Sequence, residues 1–412
     1  MRAHALMLAV AALAGLPAAA DAAPWSAPRS VTVSGQAREP AVALGGPDAA
    51  AIAYVRHLDG ADRVELRQGT VAALHAPTIV DRDARHRLDS PTLTYSGHDA
   101  LLVWRRFRDP STRVLELASV SRAGRASAPR AITGPPNAFS PAFPSPDLLT
   151  FWRRRAAYTV AIVNRAAGAK TRLPSGAAFE SEVAALPDGT LVAVWPTGGA
   201  IFAASRAPGA TAFGPATRIS APGGFARSPQ LAVTTNGTAI AVWSQSDGVG
   251  RALVAAARPA GAAFGPAVQL TSRDAQALEV RAVATSAGDV LATYISARPD
   301  NPGGPLRALR ISPSASATVP VTLTPPGERA RYVSLAADNS AGYAAWVTAG
   351  RSRHIARIVR IAGPIVGTVR TISGGDSVAS APPAFAMSPR GRALIAYMTT
   401  GNRIRLVTRR AG

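Results

Sequence analysis

The stretch "SPQLAVTTNGTAIAVWSQSD", residues 228–247, decides the fold. It opens with a short strand set off by a proline. Asn236-Gly237 then supply a tight turn, because both residues tolerate positive φ. An apolar strand follows and ends on an aromatic residue, Trp243.

The same phrase recurs along the chain as "AAIAYV", "ALLVWR", "LLTFWR", "TLVAVW", "VLATYI", "YAAWVT" and "ALIAYM". The aromatic markers are Tyr54, Trp104, Trp152, Trp195, Trp243, Tyr294, Trp346 and Tyr397, spaced by 50, 48, 43, 48, 51, 52 and 51 residues. After each comes a polar loop and a third strand such as "RALVAAAR" (251–258). A Gly/Pro turn then leads to a fourth strand, "TRIS" (217–220), "VQLT" (268–271) or "VRTIS" (369–373). Four antiparallel strands in a period near fifty describe a β-propeller blade. The second strand is apolar at nearly every position because a blade packs on both faces, and its aromatic residue fills the gap between blades.

The eighth repeat supplies three strands, 383–387, 393–398 and 403–409, and lacks a fourth. "PRSVTVS" (28–34) has the fourth-strand pattern and precedes the first strand of repeat one. The expectation is therefore an all-β, eight-bladed propeller whose last blade is completed by the N-terminal strand, since an unpaired outer edge is a liability. Seven blades is the alternative, because the third repeat is short.

Residues 1–22 read as a secretory signal peptide: Arg2 and His4, an apolar run over 5–20, then small residues with A-x-A sites. Residues 23–412 form a single propeller domain on this reading, expected to be secreted or held in the cell envelope and to be a monomer. No later stretch is apolar for long enough to span a membrane. There is no Cys, which excludes disulfides, a lipid anchor on an N-terminal cysteine and covalent haem. The formal charge of +21 comes almost entirely from Arg, Lys170 being the only lysine. A sequence pI near 11.6 predicts attraction to polyanions.

The blade grammar resembles that of secreted bacterial β-propeller repeat proteins, including the sialidase-like (BNR) group, over residues 25–412. The resemblance implies the fold and an exported setting. It does not carry site residues, because the Asp-box S-x-D-x-G-x-x-W is absent; "SQSDGVG" (244–250) falls after the aromatic strand, in a different turn. The tryptophan-docking repeat of eight-bladed quinoprotein dehydrogenases is absent too.

In a propeller, the loops between second and third strands and those joining blades emerge on one face, where ligand sites sit. Arg56 with His57, Arg105, Arg106 and Arg108, Arg153, Arg154 and Arg155, Arg351 and Arg353, and Arg403 all fall there, in blades seven, eight, one, two and three. They are expected to form a basic crescent for sulfate, carboxylate or phosphate. Glu39, Glu180 and Glu279 open first strands in blades one, four and six. They are the weak candidates for catalytic acids, with structural pairing the simpler reading. "DRDARHRLD" (81–89) holds Asp81, Asp83, His86 and Asp89, but its three arginines oppose a cation, so it reads as a charged loop and no metal is expected. "GGDSVAS" (374–380) lacks a complete nucleophile motif, and no G-x-G-x-x-G or Walker pattern occurs, so neither nucleotide nor cofactor is expected. The expected function is a binding or scaffold module for an anionic glycan or envelope polymer. A propeller-type glycoside hydrolase or lyase acting on acidic sugars, and a module contacting another exported protein, are the alternatives.

Overall fold

A computed structural model of the chain describes residues 24–32, 36–109, 112–132, 138–153, 156–163, 166–174, 176–177, 180–298, 303–348, 350 and 353–411. They form eight antiparallel sheets arranged as the blades of a propeller. Blade one comprises Gln36–Leu44, Ala49–Leu58, Ala61–Thr70 and Thr78–Asp83. Blades two to seven repeat this order, beginning at Leu88, Ala138, Glu182, Phe225, Ala277 and Ala330. Each innermost strand contacts the innermost strands of both neighbouring blades, so the ring is closed. Among the described residues the only helical element is a 3-10 turn at Arg273–Ala275.

The eighth blade combines Ala384–Met387, Ala393–Met398 and Ile404–Arg409 with Arg29–Ser30 from the start of the chain. Arg29 lies opposite Leu406 and Ser30 opposite Arg405. The Ser26 and Val31 N–H groups donate to Thr408 O at 2.8 Å and Ile404 O at 2.9 Å. Trp25 bridges to Arg409 and packs edge-on against Tyr343 and Phe385. The closing strand predicted over 28–34 is thus two regular residues long with hydrogen bonds on either side. Most outer strands are equally short, because twist carries the fourth strand away from its partner.

Eight hydrophobic clusters hold the ring, one in each interface between blades. Tyr54, Trp104, Trp195, Trp243, Tyr294, Trp346 and Tyr397 are all 0–1% exposed, and each packs toward the preceding blade. Blade three departs from this. There Phe151 and Leu149 face blade two, while Leu148 faces blade four. Because side chains alternate along a strand, Trp152 is one residue past the packing position and turns to the opposite face. The aromatic marker of that blade is therefore Phe151 in space, and its spacings become more even.

Six innermost strands carry a bulge at the same level, at Glu39-Pro40, Ser90-Pro91, Ser140-Pro141, Ser228-Pro229, Glu279-Val280 and Tyr332-Val333. The first residue of each pair, and Glu180 at the matching place in blade four, has φ between 47° and 61°. Non-glycine residues adopt this left-handed backbone at a cost, which neighbouring contacts must offset. Proline suits the second position because a bulge leaves its nitrogen outside the ladder.

Candidate functional site

The three glutamates considered as acids all sit at these bulges, and each performs one structural task. The N–H of Ser90 donates to Glu39 Oε2, that of Ser228 to Glu180 Oε2 at 2.9 Å, and that of Tyr332 to Glu279 Oε2 at 2.8 Å. In every case the acceptor belongs to one blade and the amide to the bulge of the next. The carboxylates therefore staple consecutive blades. Burial pushes the Glu39 carboxyl up, with the Ser90 N–H opposing it.

The arginines of blades one and two gather on the face that carries residues 58–61, 83–88 and 107–109. Most of the inner ones are committed to carboxylates. Arg106 donates to Asp81 at 2.6 Å and to Asp83, and lies 3.4 Å from Glu116. Arg105 binds Asp89 through two bonds of 2.5 and 2.8 Å, with Asp89 buried. Arg56 is 3.5 Å from Glu65, and Arg38 donates to Asp62 at 2.6 Å. The guanidinium of Arg106 fills the place between Asp81 and Asp83. Trp104 Nε1 also donates to Asp81, at 2.9 Å.

The loop 81–89 is held from beneath by this network. Asp83 Oδ1 accepts from the N–H groups of Arg85 and His86, both at 2.9 Å. Burial works against its charge, but these amides, His86 and Arg106 overcome it and hold the carboxyl at about 2. The outer guanidiniums of the same loop, Arg82, Arg85 and Arg87, are exposed. Among the described residues, Arg82 and Arg85 have no ion-pair partner, and Arg87 reaches Asp89 only at 3.5 Å. Arg108 is half exposed and 4.0 Å from Glu116. A cleft of about 590 Å³ lies between Arg38, His57, Asp62, Arg85, His86 and Arg87. A second, of about 860 Å³, shares residues 83–86 and extends toward Arg82 and Arg108. His57 Nδ1 and His86 Nδ1 are each 2.9 Å from a carboxylate oxygen, of Asp62 and Asp83.

The other arginines of the expected crescent are placed differently. Arg353 is exposed and donates to the carbonyls of Gly375 and Asp376. Arg403 is exposed, with its backbone N–H on Thr399 Oγ1 at 3.2 Å. Arg153 ends the second strand of blade three and is partly buried. Arg154, Arg155 and Arg351 lie outside the described residues. The sequence reading put ligand binding on arginines that follow the aromatic strand and took 81–89, with Arg82, Arg85 and Arg87 alternating with Asp81, Asp83 and Asp89, as a charged loop.

A third cavity, of about 560 Å³, opens between blades three and four. Phe143, Trp152 and Tyr158 of blade three border it, with Glu180 and Glu182 of blade four, and Arg281 reaches it from blade six. Gln230 Nε2 donates to Glu182 Oε1 at 3.3 Å. Glu182 lies deep within the surrounding protein, though water reaches part of it. Burial pushes its carboxyl up to about 7, against the opposing effects of Arg281 and Gln230.

No protein-family model matches the chain, and no curated protein is significantly similar to it. Among solved structures it is similar to the Dos1 propeller, at 11% identity and a TM-score of 0.55, over 95% of this chain and 96% of that one. It also matches a catalytically inactive virginiamycin B lyase from Staphylococcus aureus with quinupristin, at 11% identity and a TM-score of 0.48, over 79% and 99% of the chains. An ulvan lyase among polysaccharide lyases matches at 8% identity and a TM-score of 0.48, over 90% and 93%. At such identities the likeness shows the propeller fold alone.

Proposed function

We propose that this protein is an exported binding module for an anionic polymer, a glycan or cell-envelope polymer, gripped on the face of blades one and two. One observation carries the reading: the inner arginines are neutralised and fixed, while Arg82, Arg85 and Arg87 stand exposed on the loop that they support. Guanidiniums raised on a rigid, ion-paired base can meet sulfate or carboxylate groups without first being ordered, which lowers the cost of binding. The two adjoining clefts give a chain-like ligand an extended path. Residues 1–22, outside the described part, would serve as the export leader.

The test is retention of the mature protein on heparin at low salt. The triple substitution R82A/R85A/R87A should elute at markedly lower salt than the parent, with an unchanged melting temperature. Equal retention of parent and variant, or no retention of the parent, refutes the assignment.

One observation favours a second reading, a propeller lyase for acidic sugars. His57 and His86 each present Nδ1 to a carboxylate, which fixes the ring and leaves Nε2 as the group able to take a proton. Elimination would transfer the sugar C5 proton to that nitrogen, form the C4=C5 double bond and break the C4–O bond, the departing oxygen taking a proton from water, with no oxidant needed. A rise in unsaturated-uronate absorbance with acidic polysaccharides, lost in H57A or H86A, distinguishes it from binding alone.

A further inference from the structure

Two independent departures from the repeat pattern meet at the cavity between blades three and four. The first is Trp152. Its counterparts in the other blades are buried against the preceding blade, whereas the one-residue shift in blade three turns Trp152 onto the cavity wall. There it is partly exposed, while Phe143 and Tyr158, which also border the cavity, pack on the other face of the blade with Phe151.

The second departure is polar. The position two residues after the left-handed residue is Ala41, Thr92, Ala142 and Ser334 in blades one, two, three and seven, and Ala384 stands at the matching level in blade eight, small in every case. In blades four, five and six it is Glu182, Gln230 and Arg281. These belong to consecutive blades. Gln230 is bonded to Glu182, and Arg281 reaches the same cavity, with its Nη1 anchored on Val280 O at 2.9 Å. Neither the fold nor the ring interfaces require them, since small residues serve at the other five positions.

We propose that this cavity binds one pyranose ring of a glycan, with its C–H face on Trp152 and its hydroxyls on Glu182 and Arg281. The volume of about 560 Å³ falls in the range of small-molecule sites, roughly 300–1,000 Å³. An aromatic platform facing a few convergent polar groups suits a ring that is apolar on its faces and hydroxylated at its edge. Two carboxyl groups, of Glu180 and Glu182, against the one guanidinium of Arg281 leave no excess of positive charge, which favours a neutral sugar over a strongly anionic group. A carboxyl poised near neutrality can also accept or donate a hydrogen bond to hydroxyls. The proposal is independent of the arginine face of blades one and two.

The test is saturation-transfer NMR of the mature protein with the methyl pyranosides of glucose, mannose, galactose and rhamnose as probes. At least one should receive saturation from the parent. That signal should fall at least tenfold in both E182Q and W152A, and persist in R82A/R85A/R87A. A parent-like circular dichroism spectrum and a melting temperature no lower than the parent's in E182Q separate loss of binding from loss of folding. Should none of the four glycosides receive saturation, or should the signal survive in E182Q, the assignment is overturned. Loss of heparin retention alone leaves this expected result intact, so the two sites fail separately.

Discussion

Glu279 Oε2 accepts the backbone N–H of Tyr332 at 2.8 Å, joining blade six to the strained bulge of blade seven. Removing the acceptor with E279A strands that amide, at a cost of about 1–3 kcal/mol. E279Q keeps an acceptor oxygen and should cost less. Chemical denaturation of the two variants measures the difference. Equal stability of parent and E279A means that the staple is not structural.

The closing strand gives a second expectation. Deleting residues 25–34 removes buried Val31, the Trp25 contacts and every hydrogen bond to Ile404–Arg409 that they make. The loss should reach about 3 kcal/mol or more from apolar burial alone. A large drop in melting temperature is expected by calorimetry, and an unchanged value would refute closure.

Inner and outer arginines should respond in opposite ways. R106A leaves Asp81, Asp83 and Glu116 close together without their shared cation, and should cost about 3–5 kcal/mol. R85A, on an exposed side chain, should change stability by no more than about 0.5 kcal/mol. Thermal melts of both variants, with heparin retention beside them, decide the matter.

Glu182 gives the pH dependence. Folded, its carboxyl keeps a proton up to about 7, while the unfolded chain releases it near the ordinary 4.5. The folded state thus binds more protons across that window, so stability falls as pH rises through it, and the full penalty is present above the folded value. The charged neighbours are Arg281, which moderates the effect, and Glu180, which lines the same cavity. E182Q should abolish the slope and gain on the order of 2 kcal/mol near pH 8, after allowance for partial solvent access. Urea midpoints at several pH values test this.

The blades were legible because each must bury two faces, so the second strand writes its burial as an unbroken apolar run ending in Tyr or Trp. Closure by the N-terminal strand was legible as a missing pattern at one end and a surplus at the other. The exchange of Phe151 for Trp152 was not, because "LLTFW" offers two adjacent aromatics and only the register chooses between them. The arginine partners were hidden for a different reason. Arg106 meets Asp81 and Asp83 across 25 and 23 residues, and Glu39 meets the Ser90 amide across 51. Such pairings depend on the ring bringing neighbouring blades together, and local spacing carries no trace of them. The sequence therefore overstated the free positive charge of the inner arginines and understated that of residues 82–87.

Arg29 and Ser30 pair with residues 375 or more positions away along the chain. Their strand is among the first parts of the domain to be synthesised and among the last to find its partner. Until Ile404–Arg409 has formed, both edges of the future seam stay open, and loop closure over this distance makes the seam a slow event. The ring thus behaves in time as well as in space like a belt: seven interfaces can assemble as neighbours arrive, and the eighth is fastened only when the whole length is in hand.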